Sequence, residues 1–102
     1  MQPTSVAFTG GAFLVEVEPD FRNPQSQAWV AFLSLLEDGG TLLRPLVRQD
    51  GDRFVLQAQS EPVAMDLAMN FLRRQFGRRQ GPERPWLPAR MQWGPPVVVK
   101  AA

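Results

Sequence analysis

Two glycine-bearing breaks, Gly10-Gly11 and Asp50-Gly51, each interrupt a run of alternating apolar residues, and this pattern constrains the fold most strongly. A period of two belongs to a strand with one face toward a core, and a two-residue glycine turn commonly reverses such a strand. In "TSVAFTGGAFLVEVE" a turn at Gly10-Gly11 sets Phe8 against Phe13 and Val6 against Val15, both pairs on one face. In "TLLRPLVRQDGDRFVLQAQ" a type I′ turn at Asp50-Gly51 sets Val47 against Phe54, Pro45 against Leu56 and Leu43 against Ala58. Pro45 has no N–H to give a ladder, so its strand is expected at a sheet edge or a bulge.

Each hairpin is followed by a stretch with helical spacing. After the first, Asn23 is placed to cap a helix and Pro24 to open it. Trp29, Phe32, Leu33 and Leu36 then fall at i, i+3, i+4 and i+7, and Gly39 or Gly40 supplies a left-handed stop. After the second, the sequence predicts a helix over 60–77, with Ser60 as cap, Glu61 in the first turn and Gly77 as stop. Met65, Met69, Leu72 and Phe76 make one apolar stripe of it; Ala64, Leu67, Ala68 and Phe71 make a neighbouring one. That helix is apolar over more of its girth than one sheet can cover.

From Arg78 the chain is rich in proline and arginine, with Trp86 and Trp93, and it ends in the apolar run of "PPVVVKAA". The expected fold is α+β: an antiparallel sheet of four or five strands with two helices on one face, in the order β-β-α-β-β-α. A short strand after Pro95-Pro96 is included as the fifth. Residues 1–77 form the compact unit, and 78–102 form a Pro/Arg-rich segment packed back on it, because a small domain rarely leaves two indoles unburied.

A chain of 102 residues, 44% hydrophobic and 21% charged, has the length and composition of one globular domain. No apolar run reaches the roughly 20 residues that span a bilayer, and the N-terminal stretch lacks the pattern of a signal peptide. The expectation is a cytoplasmic protein with no membrane contact. The chain has no histidine, cysteine or tyrosine. Those are the usual general bases, thiol nucleophiles and soft metal ligands, so catalytic, cofactor-binding and metal sites are all read as none, and an enzyme is disfavoured. Glu16, Glu18 and Asp20 alternate along a strand end, with Glu16 and Glu18 about 7 Å apart on one face. They are read as a solvated face in preference to a Ca²⁺ or Mg²⁺ site. The Asp50 and Asp52 pair lacks the EF-hand loop pattern.

Charge is unevenly spread. Residues 1–66 hold four arginines against nine acids, a balance of −5, and residues 67–102 hold six arginines and Lys100 against Glu83, a balance of +6. The basic residues Arg73, Arg74, Arg78, Arg79, Arg84 and Arg90, with Trp86 among them, are the candidate partner-binding set. Arginine beside an exposed aromatic is the chemistry of an interface anchor. The function expected from this is a non-enzymatic protein–protein interaction module: a small subunit, adaptor or assembly factor. Its partner would be a protein with an acidic surface, or the acidic half of a second copy in a homodimer. The alternative is a nucleic-acid-associated protein using the same arginines on phosphates, though no nucleic-acid-binding motif accompanies them.

Overall fold

Residues 29–37, expected as a helix, form the central strand of an antiparallel sheet. The structure is a computed structural model that describes residues 4–8, 11–20, 22, 25, 27–76 and 90–99, with 4–8 and 11 as backbone only. Among them run β1 (Thr4–Phe8), β2 (Gly11–Pro19), β3 (Trp29–Glu37), β4 (Leu42–Arg48) and β5 (Val55–Ala58). Helix α1 (Glu61–Phe76) follows, then β6 (Met91–Trp93) and β7 (Val97–Val98). The class is α+β, with one helix rather than two among the described residues. The sheet runs β1-β2-β3-β4-β6, with β5 also on β3 and β7 also on β4.

The helical spacing at 29, 32, 33 and 36 misleads because Ala28 to Leu36 is apolar at every position but Ser34. Such a run satisfies a period of 3.6 and a period of 2 together. It suits a strand with neighbours on both edges and cover on both faces. Ala31, Leu33 and Leu35 are buried toward α1, and Val30 and Ser34 are buried on the opposite face. Trp29, placed by its spacing in the core, is half-buried at the strand's start and packs against the core's margin. Gly39 and Gly40 do take left-handed φ, and so does Asp38, but they end a strand and not a helix. The Thr41 hydroxyl donates to the Asp38 carbonyl at 2.8 Å, closing the connection that sets Glu37 opposite Leu42.

Both hairpins differ from their expected registers. In the first, Phe8 pairs with Gly11 and Val6 with Phe13, two residues from the expected alignment, which leaves Gly11 inside β2 and out of the turn. In the second, the Gly51 N–H donates to the Arg48 carbonyl at 2.9 Å and the Arg48 N–H to the Asp52 carbonyl at 2.7 Å. Gly51 has φ of +91° while Asp50 is not left-handed. A type I′ turn needs both central residues left-handed; one left-handed glycine after a type I turn makes a three-residue loop with a bulge. The extra residue moves the register by one, so Val47 meets Arg53 and not Phe54. An odd slip exchanges faces. Phe54, Leu56 and Ala58 therefore join the core beneath α1, while Leu43 and Pro45 share the face of Leu36 and Ser34.

Beyond that turn β5 abandons β4. It pairs with Trp29–Phe32 of β3, whereas β4 pairs with Ser34–Glu37, so the two strands divide one edge of β3 between them. The other edge of β4 is taken by the C-terminal segment. β6 pairs with Leu46–Arg48 and β7 with Leu42-Leu43, with one extra residue between them at Gly94–Pro96. Gly94 permits the approach: a Cβ there would lie 3.0 Å from Pro45 Cγ and 3.2 Å from the Pro45 carbonyl oxygen.

Helix α1 lies across the sheet on Ala64, Ala68, Leu72 and Phe76, one residue per turn, all fully buried. Small residues in the first half allow close approach, and the aromatic at the end fills the space beyond. Ser60 sits before the first turn, its Oγ accepting from the Val63 N–H at 3.4 Å. Phe76 stacks on Phe13 of β2 with ring centroids 4.8 Å apart, and Trp93 lies 6.0 Å from Phe76 and 6.2 Å from Phe13. Trp93 thus packs against the core, whereas Trp86 lies outside the described residues.

Candidate interaction surface

With Ala64, Ala68, Leu72 and Phe76 turned to the sheet, the 100° step of an α-helix puts Val63, Asp66, Leu67, Asn70, Arg73 and Arg74 on the opposite side. All six are exposed. Val63 retains 46% and Leu67 39% of its accessible surface, and the two lie one turn apart. Arg73 and Arg74 occupy the last turn, where positive charge complements the carbonyl end of the helix. The Arg73 guanidinium donates to Asn70 Oδ1 at 3.0 Å, which fixes one arginine fork along the helix surface. The outer face therefore grades from apolar at its start to basic at its end.

Of the expected set the structure describes Arg73, Arg74 and Arg90, the first two in the last turn of α1. Arg90 is exposed in the turn before β6, and its carbonyl accepts from the Gln49 N–H at 3.1 Å, tying it to the β4–β5 turn. Arg78, Arg79, Arg84 and Trp86 lie outside the described residues.

The face of the sheet away from α1 carries a second polar constellation, one that spacing alone did not reveal. Arg53, brought onto this face by the one-residue register change, lies 4.8 Å over the ring of Phe32. It donates to the buried Ser34 hydroxyl at 3.3 Å and stands 3.7 Å from the Glu16 carboxylate. Asp20 is buried: one carboxylate oxygen accepts from the Arg22 backbone at 3.1 Å, the other from Gln57 Nε2 at 3.0 Å. Of these groups Asp20, Arg22, Phe32 and Arg53 border a cleft of about 650 Å³ whose walls also include Val30, Phe54 and Val55. Three arginines (Arg22, Arg48 and Arg53) and three carboxylates (Glu18, Asp20 and Asp52) line it. Each arginine already meets an acid of this chain. The arrangement covers an otherwise apolar sheet face with paired charge, and the acids expected as a solvated row are mostly engaged in it. A correct strand reading of 29–37 would have exposed the signal, since it places Phe32 opposite Glu16.

At the mouth of the cleft, Arg48 donates to Asp50 at 2.8 Å and Asp52 at 3.1 Å. The Asp52 N–H donates to Asp50 Oδ1 at 3.0 Å. That backbone donor, reinforced by Arg48, holds the Asp50 carboxyl below its ordinary pKa. Among the described residues no cluster of three or more acids could hold a metal ion, and no helix is long and apolar enough to cross a membrane. No family model matches the chain, and no curated protein or solved structure matches it either.

Proposed function

We propose that this chain is a non-enzymatic protein–protein interaction module, a small subunit, adaptor or assembly factor, that meets an acidic partner surface through the outer face of α1. The observation that carries the reading is the placement of Val63 and Leu67, both open, on the same side of one helix as Arg73 and Arg74. Apolar side chains at the centre of a contact supply affinity when covered, while arginine at its rim steers an oppositely charged partner and fixes its orientation. The core does not use these residues, so the surface can be changed without dismantling the fold.

The test is capture from native extract with wild-type protein, with Leu67→Glu and with Arg73→Glu/Arg74→Glu, each with and without nuclease. The expected result is a discrete protein partner that nuclease does not remove, that both variants lose, and that binds again when purified and recombined. Retention of that partner by both variants overturns the reading. A partner lost on nuclease treatment, with binding that falls steeply between low and moderate salt, points instead to phosphate contact by the arginines.

A further inference from the structure

The outer face of α1 holds two opposite charges that cannot satisfy one another. Asp66 and Arg74 share that face, exposed, and among the described residues neither makes an ion pair. They are eight residues apart, which along a helix is about 12 Å, beyond the reach of a salt bridge. Asn70 lies midway, so Asp66, Asn70 and Arg74 form one row at intervals of four, the ridge that packs against a neighbouring helix. An acid, an amide and a base at equal spacing make a row that complements itself when reversed.

We infer that the partner of this face is a second copy of the chain, paired α1 to α1, antiparallel, about a two-fold axis at Asn70. This rests on the reading of α1's outer face as an interaction surface, and puts in place of an acidic partner a second copy whose facing row offers one acid and one base. In that register Asp66 meets Arg74 of the second copy, Arg74 meets Asp66 of the second copy, and the two Asn70 amides face each other on the axis. A two-fold contact requires a self-complementary patch, and this row provides one. One helix face on each side is smaller than a standard interface, so the dimer exchanges with monomer.

The experiment uses the purified full chain in sedimentation velocity over a wide concentration range, with folding of each variant checked by far-UV circular dichroism. Wild-type protein is expected to move from monomer to dimer as concentration rises, and less readily at high salt. Arg73→Glu/Arg74→Glu makes the row wholly acidic, and Asp66→Arg makes it wholly basic. Each variant alone is expected to lose at least about tenfold in association, because like charges then oppose each other across the axis. Mixed in equal amounts, the two variants are expected to form a heterodimer at least as tight as the wild-type dimer. Wild-type protein that stays monomeric throughout overturns the inference, as does a dimer that both variants leave intact. So does a mixture that fails to associate when each component is folded. The extract capture fails or succeeds separately: loss of a different protein partner by the Arg73→Glu/Arg74→Glu variant, with no dimer in solution, leaves the interaction module standing and removes only the second copy.

Discussion

Asp50 shows how little of a residue's chemistry depends on burial. Its side chain is exposed, yet the N–H two residues on and the guanidinium of Arg48 both favour its ionised form. Because the folded-state pKa lies below the ordinary value of 3.8, this contribution to stability is complete above that pH and is lost as pH falls through the lower folded value. Carboxyl titration by NMR is expected to place Asp50 below 3.8, and Arg48→Gln to raise it only partway, since the backbone donor remains. A full return to the ordinary value would show that the arginine alone was responsible. Leu33 makes the opposite case. It is wholly buried in the middle of β3, beneath α1. Leu33→Ala is expected to cost about 2–5 kcal/mol in urea unfolding, in the range for large-to-small core changes. A cost under about 1 kcal/mol, as for a surface change, would place it outside the core.

At the scale of elements, legibility in the sequence depended on how many solutions a stretch allows. Helix α1 was readable because Ser60, Glu61 and the apolar repeat all point to a helix with the same start. β2 was readable because its buried Phe13, Val15 and Val17 alternate with less buried positions. β3 was not, because a strand buried on both faces has no alternation to display. The Asp50-Gly51 turn was found, but its type was not, and one bulge residue changed which side of β5 faces the core. The same ambiguity hid the Arg53, Glu16 and Phe32 group, while the exposure of Arg73 and Arg74 was legible because a regular helix fixes their direction. Native-state hydrogen exchange tests the reassignment. Amides of β3 from Val30 to Leu36 are expected to be among the slowest to exchange, opening only with global unfolding, and those of β7 among the faster ones. Rapid exchange along β3 would contradict a central position.

For the whole molecule, the C-terminal strand is part of the architecture and not an appendage. β6 and β7 cover the outer edge of β4, and Trp93 completes the ring cluster of Phe13 and Phe76. Removal of residues 91–102 is therefore expected to lower the urea midpoint sharply or to abolish a cooperative transition, by loss of both edge pairing and aromatic packing. An unchanged transition would mean that the rest of the sheet holds without it. Pairing of Leu46 with Trp93 and of Leu42 with Val98 also joins positions separated by about half the chain. Closing so large a loop spends entropy before any contact rewards it, so this step is the natural slow point of folding. At a synthesis rate of about 5–20 residues per second, β4 is made several seconds before its outer neighbour. Until β6 and β7 are in place an unpaired strand edge is open to the chains around it, and its protection falls to whatever binds β4 first.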